Sequence, residues 1–182
     1  MRNDRPEPFV KHAHLFVSRP IDEVFAFFAD AANLQVLTPP WLNFAILTPP
    51  PIRMRRDALI DYRLRVRGVP IRWRTRIAEW DPPHRFVDEQ LRGPYRMWVH
   101  EHEFIEHEGG TLCRDRVVYR VPGGPLAPLV HRWFVKPDVD RIFEYRMQKL
   151  RQTFGETPRS GPARPSFADG RMNLGKACTP GA

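Results

Sequence analysis

The chain has 182 residues, of which 42% are hydrophobic and 12% aromatic, a globular composition that suits one domain plus a tail. Its two cysteines exclude a disulfide framework and make the cytosol the expected compartment. It contains neither the roughly 18 consecutive apolar residues of a membrane span nor the apolar core of a signal peptide, so we expect neither membrane insertion nor secretion.

The first predicted elements are one strand and two short helices. An extended run covers Phe9–Ser18 and leads to Pro20, which suits the first turn of a helix. Apolar residues then recur at helical spacing as far as Phe28. A second helix is predicted over Ala31–Leu37, and Pro39 ends it because proline cannot continue a helix.

A period of two replaces the helical period after Pro40, which indicates strands. Turns that contain Gly or Pro help to separate six predicted strands, which are Leu42–Leu47, Leu59–Arg67, Ile71–Ile77, Arg85–Leu91, Tyr95–Glu106 and Leu112–Val121. Gly68-Val69-Pro70 joins the second and third of these in a hairpin whose apolar residues face one side and whose arginines face the other.

The helical period returns from Leu126 onward. Asp138–Phe154 is predicted to form a long amphipathic helix, which Pro137 kinks or interrupts near Lys136. Because consecutive hairpins form an antiparallel sheet whose apolar face needs a cover, we predict an α+β fold. In this fold a seven-stranded curved antiparallel sheet wraps around the long C-terminal helix, with two short helices between strands 1 and 2. A cavity between sheet and helix is a plausible consequence.

Composition divides the chain into three parts. Residues 1–8 are polar and expected to be flexible, and residues 9–154 form the folded domain. In residues 155–182, nine of 28 positions are Gly or Pro and large apolar side chains are scarce. Such a segment cannot bury enough surface to offset its ordering entropy, so we expect a disordered tail. The tail supplies only +2 of the net charge of +8.

Five short motifs occur in a fixed order within the domain. They are Arg19-Pro20-x4-Phe25-x2-Phe28-x4-Asn33-Leu34-x3-Thr38-Pro39-Pro40, Gly68-Val69-Pro70-Ile71-x-Trp73, Phe86-Val87-Asp88-Glu89-Gln90, Gly93-Pro94-Tyr95-x2-Trp98-x-His100-x-His102-x-Phe104 and Ile142-Phe143-x-Tyr145-Arg146. Together they resemble the START-like, or SRPBCC, superfamily, which has the helix-grip fold. The resemblance covers about Phe9–Phe154 and is closest to the polyketide cyclase/dehydrase-like and coenzyme-Q-binding-protein-like branches.

This resemblance implies that residues 9–154 are a ligand-binding domain. Its ligand would be a lipid, quinone, polyketide or similar molecule in a cavity between the sheet and the C-terminal helix. Members of the superfamily include carriers, ligand sensors and cyclases, so the fold alone does not decide the activity.

A polar cluster is predicted on three late strands. Alternation places His100 and His102 on the same inner face as two aromatic residues. Asp115 on the following strand, and Asp88 and Gln90 on the preceding one, also fall on the apolar side. A buried carboxylate is costly without partners, so we expect these side chains to meet.

Three interpretations of this cluster stay open. It is a buried hydrogen-bond network that orients the histidine rings, or a polar patch that binds an oxygen of an apolar ligand. Alternatively it catalyses or binds metal. A His–carboxylate pair can act as general base for an aldol-type cyclisation or dehydration, with His100, His102 and Asp115 as the candidates. His-x-His with a nearby Asp also has metal-ligand geometry, although no third histidine falls on that face.

We therefore predict a protein that binds a small hydrophobic molecule, with a cyclase/dehydratase-like enzyme as the alternative, and we predict no cofactor and no metal. Tyr145-Arg146 either joins the polar end of the cavity or points outward. The predicted ligand-binding residues are Tyr62, Leu64, Trp73, Ile77, Phe86, Asp88, Gln90, Trp98, His100, His102, Asp115, Val117, Tyr119, Phe143 and Met147.

Six arginines account for most of the excess positive charge, and alternation places them on one outer hairpin face. They are Arg63, Arg65, Arg67, Arg72, Arg74 and Arg76. Such a stripe is typical of a solvated face, and the functional alternative is docking to an anionic membrane or another polyanion. Nucleic-acid binding is disfavoured because the stripe lacks interleaved aromatic residues and no known nucleic-acid-binding motif is present.

Overall fold

Seven strands organise the protein, which a computed structural model describes over residues 7–155. They are β1 (Phe9–Val17), β2 (Ala45–Ile46), β3 (Leu59–Val66), β4 (Val69–Asp81), β5 (Arg85–Arg92), β6 (Met97–His107) and β7 (Gly110–Arg120). They form one antiparallel sheet in the order β1-β7-β6-β5-β4-β3-β2. The expected tail from residue 156 onward and residues 1–6 lie outside the described residues.

Two short helices follow β1, as the sequence predicts. They are α1 (Ile21–Ala29) and α2 (Asn33–Leu37), and α1 buries Val24, Phe25 and Phe28 on one face. The chain then forms a 3₁₀ turn over Pro40–Leu42, where a strand was expected to begin. This turn buries Leu42 in the core, and β2 is accordingly reduced to two residues.

The C-terminal helical segment begins near Leu126, as predicted, and its helical form changes just before Pro137. A short helix α3 (Ala127–Val130) leads into a π-helical segment (His131–Val135) and then into the long helix α4 (Lys136–Phe154). Pro137 falls in the first turn of α4, where the N–H that proline lacks is least needed. The irregular helical geometry that proline usually causes is found in the π-helical segment just before Pro137.

Helix α4 covers the apolar face of the sheet. Its buried residues are Val139, Phe143, Arg146, Leu150 and Phe154, which recur every three or four positions. Leu150 and Phe154 share one apolar cluster with α1, whereas Val139 and Phe143 pack against β7 in a second cluster. The predicted α+β arrangement of seven antiparallel strands, two short helices and a long C-terminal helix is thus confirmed.

The hairpin of β3 and β4 has the expected two faces. Tyr62 lies opposite Trp73, and Leu64 lies opposite Ile71, on the side that α4 covers. The turn departs from simple alternation because Arg67 has a positive φ of 51° and Gly68 one of 83°. These left-handed residues redirect the chain at the hairpin tip.

Candidate functional site

A cavity of about 630 Å³ lies between the sheet and α4. The inner faces of β3 and β4 form one wall, and residues of α1, α2 and α4 form the others. Most of the lining is apolar or aromatic, and it includes one group of polar side chains on β5, β6 and α4, which we call the polar end. This volume and this lining are typical of sites for small molecules in proteins.

The structure places ten of the fifteen predicted ligand-binding residues in the wall of this cavity. They are Tyr62, Leu64, Trp73, Ile77, Phe86, Asp88, Trp98, His100, His102 and Phe143. The first two helices and the turn between them form a further wall, which the sequence-based prediction lacked and which includes Phe28, Ala31 and Leu37. The helical spacing of apolar residues in that segment was the available signal.

Five predicted residues do not line the cavity. The Gln90 side chain turns to the neighbouring loop, where its amide nitrogen donates to the Tyr95 carbonyl at 2.7 Å. Met147 packs against the apolar cluster at the α1 end of α4. The other three are buried residues of β7, and they are Asp115, Val117 and Tyr119.

The polar end of the cavity is a cluster of two histidines between two carboxylates. His102 Nε2 lies 3.1 Å from Asp88 Oδ2, and its Nδ1 lies 2.7 Å from Asp115 Oδ1. His100 Nε2 lies 3.3 Å from Asp115 Oδ1, and its Nδ1 lies 3.7 Å from Asp88 Oδ2. Strand alternation thus brings together four of the five side chains that the sequence predicts to meet, and Gln90 is the exception. We refer to these four residues with Arg146 as the polar cluster.

Strand register explains how the cluster is shared between three strands. Asp88 on β5 is paired with His100 on β6, and Asp115 on β7 is paired with His102. Each carboxylate also reaches the diagonal histidine, two residues along the strand. The two imidazole rings lie 3.8 Å apart, and the His102 ring stacks on Phe86 at 4.1 Å. Packing from both sides therefore fixes the orientation of His102.

Arg146 completes the cluster from the helix side. It is 8% exposed, lines the cavity, and places Nε 3.4 Å from Asp115 Oδ2. Its guanidinium also lies over the ring of Phe28 at 5.3 Å. The sequence left two positions open for Arg146, and the structure shows the one at the polar end of the cavity. The neighbouring Tyr145 contacts Trp41 instead.

The electrostatics of the cluster differ from residue to residue. Burial lowers the pKa of His100, and the charge of His102 lowers it further. Burial also disfavours the charged form of His102, but the two nearby carboxylates outweigh it and raise the His102 pKa. Burial alone would raise the pKa of Asp115, yet the Arg146 guanidinium and the histidines hold it well below its usual range. Asp115 is therefore an anion, and His100 is neutral at pH 7.

A second polar point lies in the wall of the cavity at Thr75, which sequence analysis did not single out. Its hydroxyl lies 3.0 Å from the Tyr62 hydroxyl and accepts a hydrogen bond from Trp73 Nε1 at 3.1 Å. Burial raises the Tyr62 pKa, and the charge of Asp88 adds to this effect. The Tyr62 phenol is therefore neutral at physiological pH and holds its place by hydrogen bonding.

Arg67 lines the cavity, which corrects the expectation that all six arginines of the hairpin lie on its outer face. Its Nε donates to Asp138 Oδ2 at 2.9 Å, and its Nη2 donates to Oδ1 at 3.1 Å. The guanidinium also lies 5.2 Å from the ring centre of Phe134. The left-handed backbone at Arg67 turns its side chain away from the stripe and onto the start of α4.

The remaining arginines divide into paired and unpaired side chains. Arg74 forms a two-pronged ion pair with Asp61, with both contacts at 2.8 Å, and Arg76 pairs with Glu89. Three others are exposed and form no ion pair among residues 7–155, and they are Arg63, Arg65 and Arg72. Arg63 and Arg72 stand opposite each other on neighbouring strands, so their charges reinforce one another.

Comparison with known proteins agrees with this architecture. The model of the family described as polyketide cyclase / dehydrase and lipid transport matches residues 17–145. The chain belongs to this family. Membership places it in the SRPBCC superfamily, as its motifs indicate, and supports the binding of hydrophobic molecules in general. No curated protein matches the sequence significantly.

Solved structures with the same fold come from distant organisms. Protein CV1439 of Chromobacterium violaceum is 13% identical, with a TM-score of 0.61 over 80% of this chain and 96% of its own. Major latex-like protein 151 of Panax ginseng is 8% identical, with a TM-score of 0.60 over 82% of this chain and 99% of its own. Protein Ms6760 of Mycobacterium smegmatis is 18% identical, with a TM-score of 0.56 over 81% and 97%. At these identities the likeness establishes the fold alone.

Within residues 7–155, no helix is both long enough and apolar enough to cross a membrane.

Proposed function

We propose that the protein binds one hydrophobic small molecule, of the lipid, quinone or polyketide-like class, in the cavity between the sheet and α4. The observation that carries this proposal is the cavity of about 630 Å³, whose walls are mostly apolar and include the polar end formed by the histidines. A molecule with an apolar body and an oxygen at one end matches that division. Membership in a family described by polyketide and lipid chemistry supports the same class of ligand.

The two parts of the cavity would contribute differently to binding. Each ligand methylene that leaves water for the apolar wall contributes about 0.8 kcal/mol, so the body supplies most of the affinity. The polar end supplies orientation, since Arg146 carries N–H donors at the cavity wall and the histidines offer donors or acceptors. A ligand oxygen placed there would be hydrogen-bonded instead of buried without a partner.

The direct test is native mass spectrometry of the full chain purified from its own host, together with thermal shifts across a panel of lipids, quinones and polyketides. We expect a retained molecule and a shift for at least one chemical class. The Ile142→Trp variant fills the cavity from α4, so retention should fall on the order of tenfold or more. Leu91→Trp is the matched control because Leu91 is 51% exposed and outside the cavity.

Two results would overturn the proposal. One is the absence of any retained molecule together with flat thermal shifts for the whole panel. The other is equal retention by Ile142→Trp and Leu91→Trp, because the binding site would then lie elsewhere.

A cyclase/dehydratase-like activity is the second candidate. It is supported by one observation: both His100 and His102 line the cavity, and each faces carboxylates that can orient its ring. Replacing both histidines by Gln should then abolish turnover of a polyketide substrate while the fold persists. Loss of folding, with no turnover by the wild-type protein, would instead assign the cluster a structural role.

We also propose docking to an anionic membrane, but through three of the six arginines of the hairpin instead of all six. It is supported by Arg63, Arg65 and Arg72, whose side chains are exposed and without ion pairs among the described residues. Arg67, Arg74 and Arg76 already pair with acidic side chains and contribute less free charge.

A further inference from the structure

Three side chains at the polar end of the cavity have the composition of a transition-metal site. We propose that Asp88, His100 and His102 bind one divalent cation of the zinc class. One nitrogen of each ring and one oxygen of Asp88 all lie within 4.8 Å of one another. Imidazole nitrogens with a single carboxylate oxygen are ligands that suit zinc and its neighbours in the first transition row.

The spacing of the donor atoms agrees with tetrahedral coordination. Metal–ligand distances of 2.0–2.1 Å in a tetrahedron separate neighbouring ligand atoms by about 3.3 Å. Asp88 Oδ2 lies 3.1 Å from His102 Nε2 and 3.7 Å from His100 Nδ1. Small side-chain rotations would therefore bring the three donors around one ion without movement of the strands.

Asp115 occupies the position of an outer-shell partner. Its Oδ1 lies 2.7 Å from His102 Nδ1 and 3.3 Å from His100 Nε2, which are the ring nitrogens that do not face Asp88. Metal-binding histidines usually donate their second ring N–H to such a carboxylate, which fixes the tautomer and the ring orientation. Here the Asp115 carboxylate contacts both rings, each at the nitrogen that does not face Asp88. A hydrogen-bond network that merely connects the strands would not need this arrangement.

The net charge around the three donor residues is compatible with the binding of a divalent cation. Asp88 contributes one negative charge, while Asp115 and Arg146 form a buried pair whose charges cancel. His102 Nδ1 is buried and has no aligned hydrogen bond despite its short distance to Asp115. Coordination through the opposite nitrogen would reorient the ring and allow that bond to align.

The site would keep one coordination position open toward the cavity. Asp88, His100 and His102 all line the cavity, whereas Asp115 is buried and does not line it. Three protein ligands with one open position are typical of zinc sites that bind a further molecule. A bound cation would then polarise an oxygen of any ligand in the cavity. The inference itself rests on the donor geometry and does not require such a ligand.

The test uses the full chain without an affinity tag, treated with a chelator and titrated with Co²⁺ and Zn²⁺ in the absence of any organic ligand. Calorimetry should give one ion per chain, and Co²⁺ should develop the visible absorption of a tetrahedral site. Asp88→Asn and His102→Gln should abolish both signals, and Asp115→Asn should weaken binding by about 10- to 100-fold. The double variant His12→Gln/His14→Gln removes two exposed histidines of β1 and should bind like the wild type.

Each contrary outcome is decisive. The proposal fails if the wild type binds neither ion with one-to-one stoichiometry, if Asp88→Asn binds as tightly as the wild type, or if the His12/His14 variant loses the signals. Should His102→Gln not fold, Asp88→Asn carries the test, because Asp88 lies partly open to the cavity. Hydrophobic-ligand binding can hold whichever way this titration ends, so the two proposals fail separately.

Discussion

Arg146 Nε lies 3.4 Å from Asp115 Oδ2, and this contact joins α4 to β7 in the interior of the protein. The two side chains are 9% and 6% exposed, so water screens neither charge effectively. Without Arg146 the Asp115 carboxylate would be a buried anion beside two histidines, one of them neutral. The arginine therefore makes it possible for a charged group to lie beneath an apolar cavity.

Replacing Arg146 should accordingly destabilise the fold. Arg146→Met keeps much of the side-chain length but leaves Asp115 without its cation, and we expect a loss of about 3–5 kcal/mol in the free energy of unfolding. Urea denaturation measures this loss. The double variant Arg146→Met/Asp115→Asn should recover part of it, because the unpaired charge is also removed.

Arg151→Met is the matched control for this experiment, since Arg151 lies on the exposed face of the same helix. Its effect should stay within about 0.5 kcal/mol, as for most surface substitutions. If the two single variants were equally stable, the buried pair would contribute nothing to the fold.

The fold was predictable because its periodic signals are strong. Alternation over Leu59–Val66 and the helical spacing after Val139 identify the sheet and its covering helix directly. The short β2 was not predictable, since the burial of Leu42 depends on contacts with distant Leu64 and Trp73. The π-helical segment before Pro137 was missed because apolar spacing does not distinguish 3.6 from slightly more residues per turn.

The polar cluster was only partly predictable. Alternation along β6 is sufficient to place His100 beside His102. Asp115 lies on an apolar strand face, where a buried carboxylate needs a cationic or hydrogen-bonding partner. That partner was visible in principle, because Arg146 has the same helical spacing as Phe143 and Leu150. Arg67 was misplaced because alternation assumes an extended backbone, and its φ of 51° ends the strand geometry one residue early.

Thr75 offers a test of the second polar point. Thr75→Val keeps the shape but removes the hydroxyl that accepts from Trp73 Nε1 and contacts Tyr62. Since a buried donor without a partner costs about 1–3 kcal/mol, chemical denaturation should show a loss of that size. Thr75→Ser retains the hydroxyl and should lose less. Equal stability of the Val and Ser variants would count against the hydrogen bonds.

The contact between β1 and the π-helical segment predicts a pH effect. His131 stacks on Phe9 at 3.5 Å, and its Nε2 lies 2.9 Å from the Tyr119 hydroxyl. Burial lowers the His131 pKa and the Lys136 charge adds to this, while Asp140 opposes both. Neutral His131 therefore contributes its full stabilisation of the fold above the ordinary histidine pKa of 6.5. This contribution is lost as the pH falls through the lowered pKa of His131.

Melting temperatures of the wild type and His131→Gln, measured between about pH 8 and pH 5, isolate this effect. Other titrating groups are common to both proteins, so their contributions cancel in the difference. We expect the advantage of the wild type to shrink as the pH falls. Parallel curves over the whole range would show that His131 does not respond to protonation.

Membrane docking through the unpaired arginines has a quantitative expectation. A basic residue near an anionic bilayer contributes about 1 kcal/mol, so the triple variant Arg63→Gln/Arg65→Gln/Arg72→Gln should bind such vesicles about 100-fold more weakly. Co-sedimentation with liposomes of graded anionic lipid content, at low and physiological salt, measures the change. Salt should weaken wild-type binding because these charges are exposed.

The control for the arginine face is Arg114→Gln/Arg116→Gln, which removes two exposed arginines of β7 that already pair with Glu103 and Glu101. Since β7 lies three strand spacings from β4, about 14 Å, and exposed charges are screened beyond about 8 Å at physiological salt, this double variant should there sediment nearly as the wild type does. If wild-type binding does not depend on anionic lipid, charge is not what attracts the protein to the bilayer. Trp133 and Phe134, which are 63% and 52% exposed, would then be the next side chains to replace.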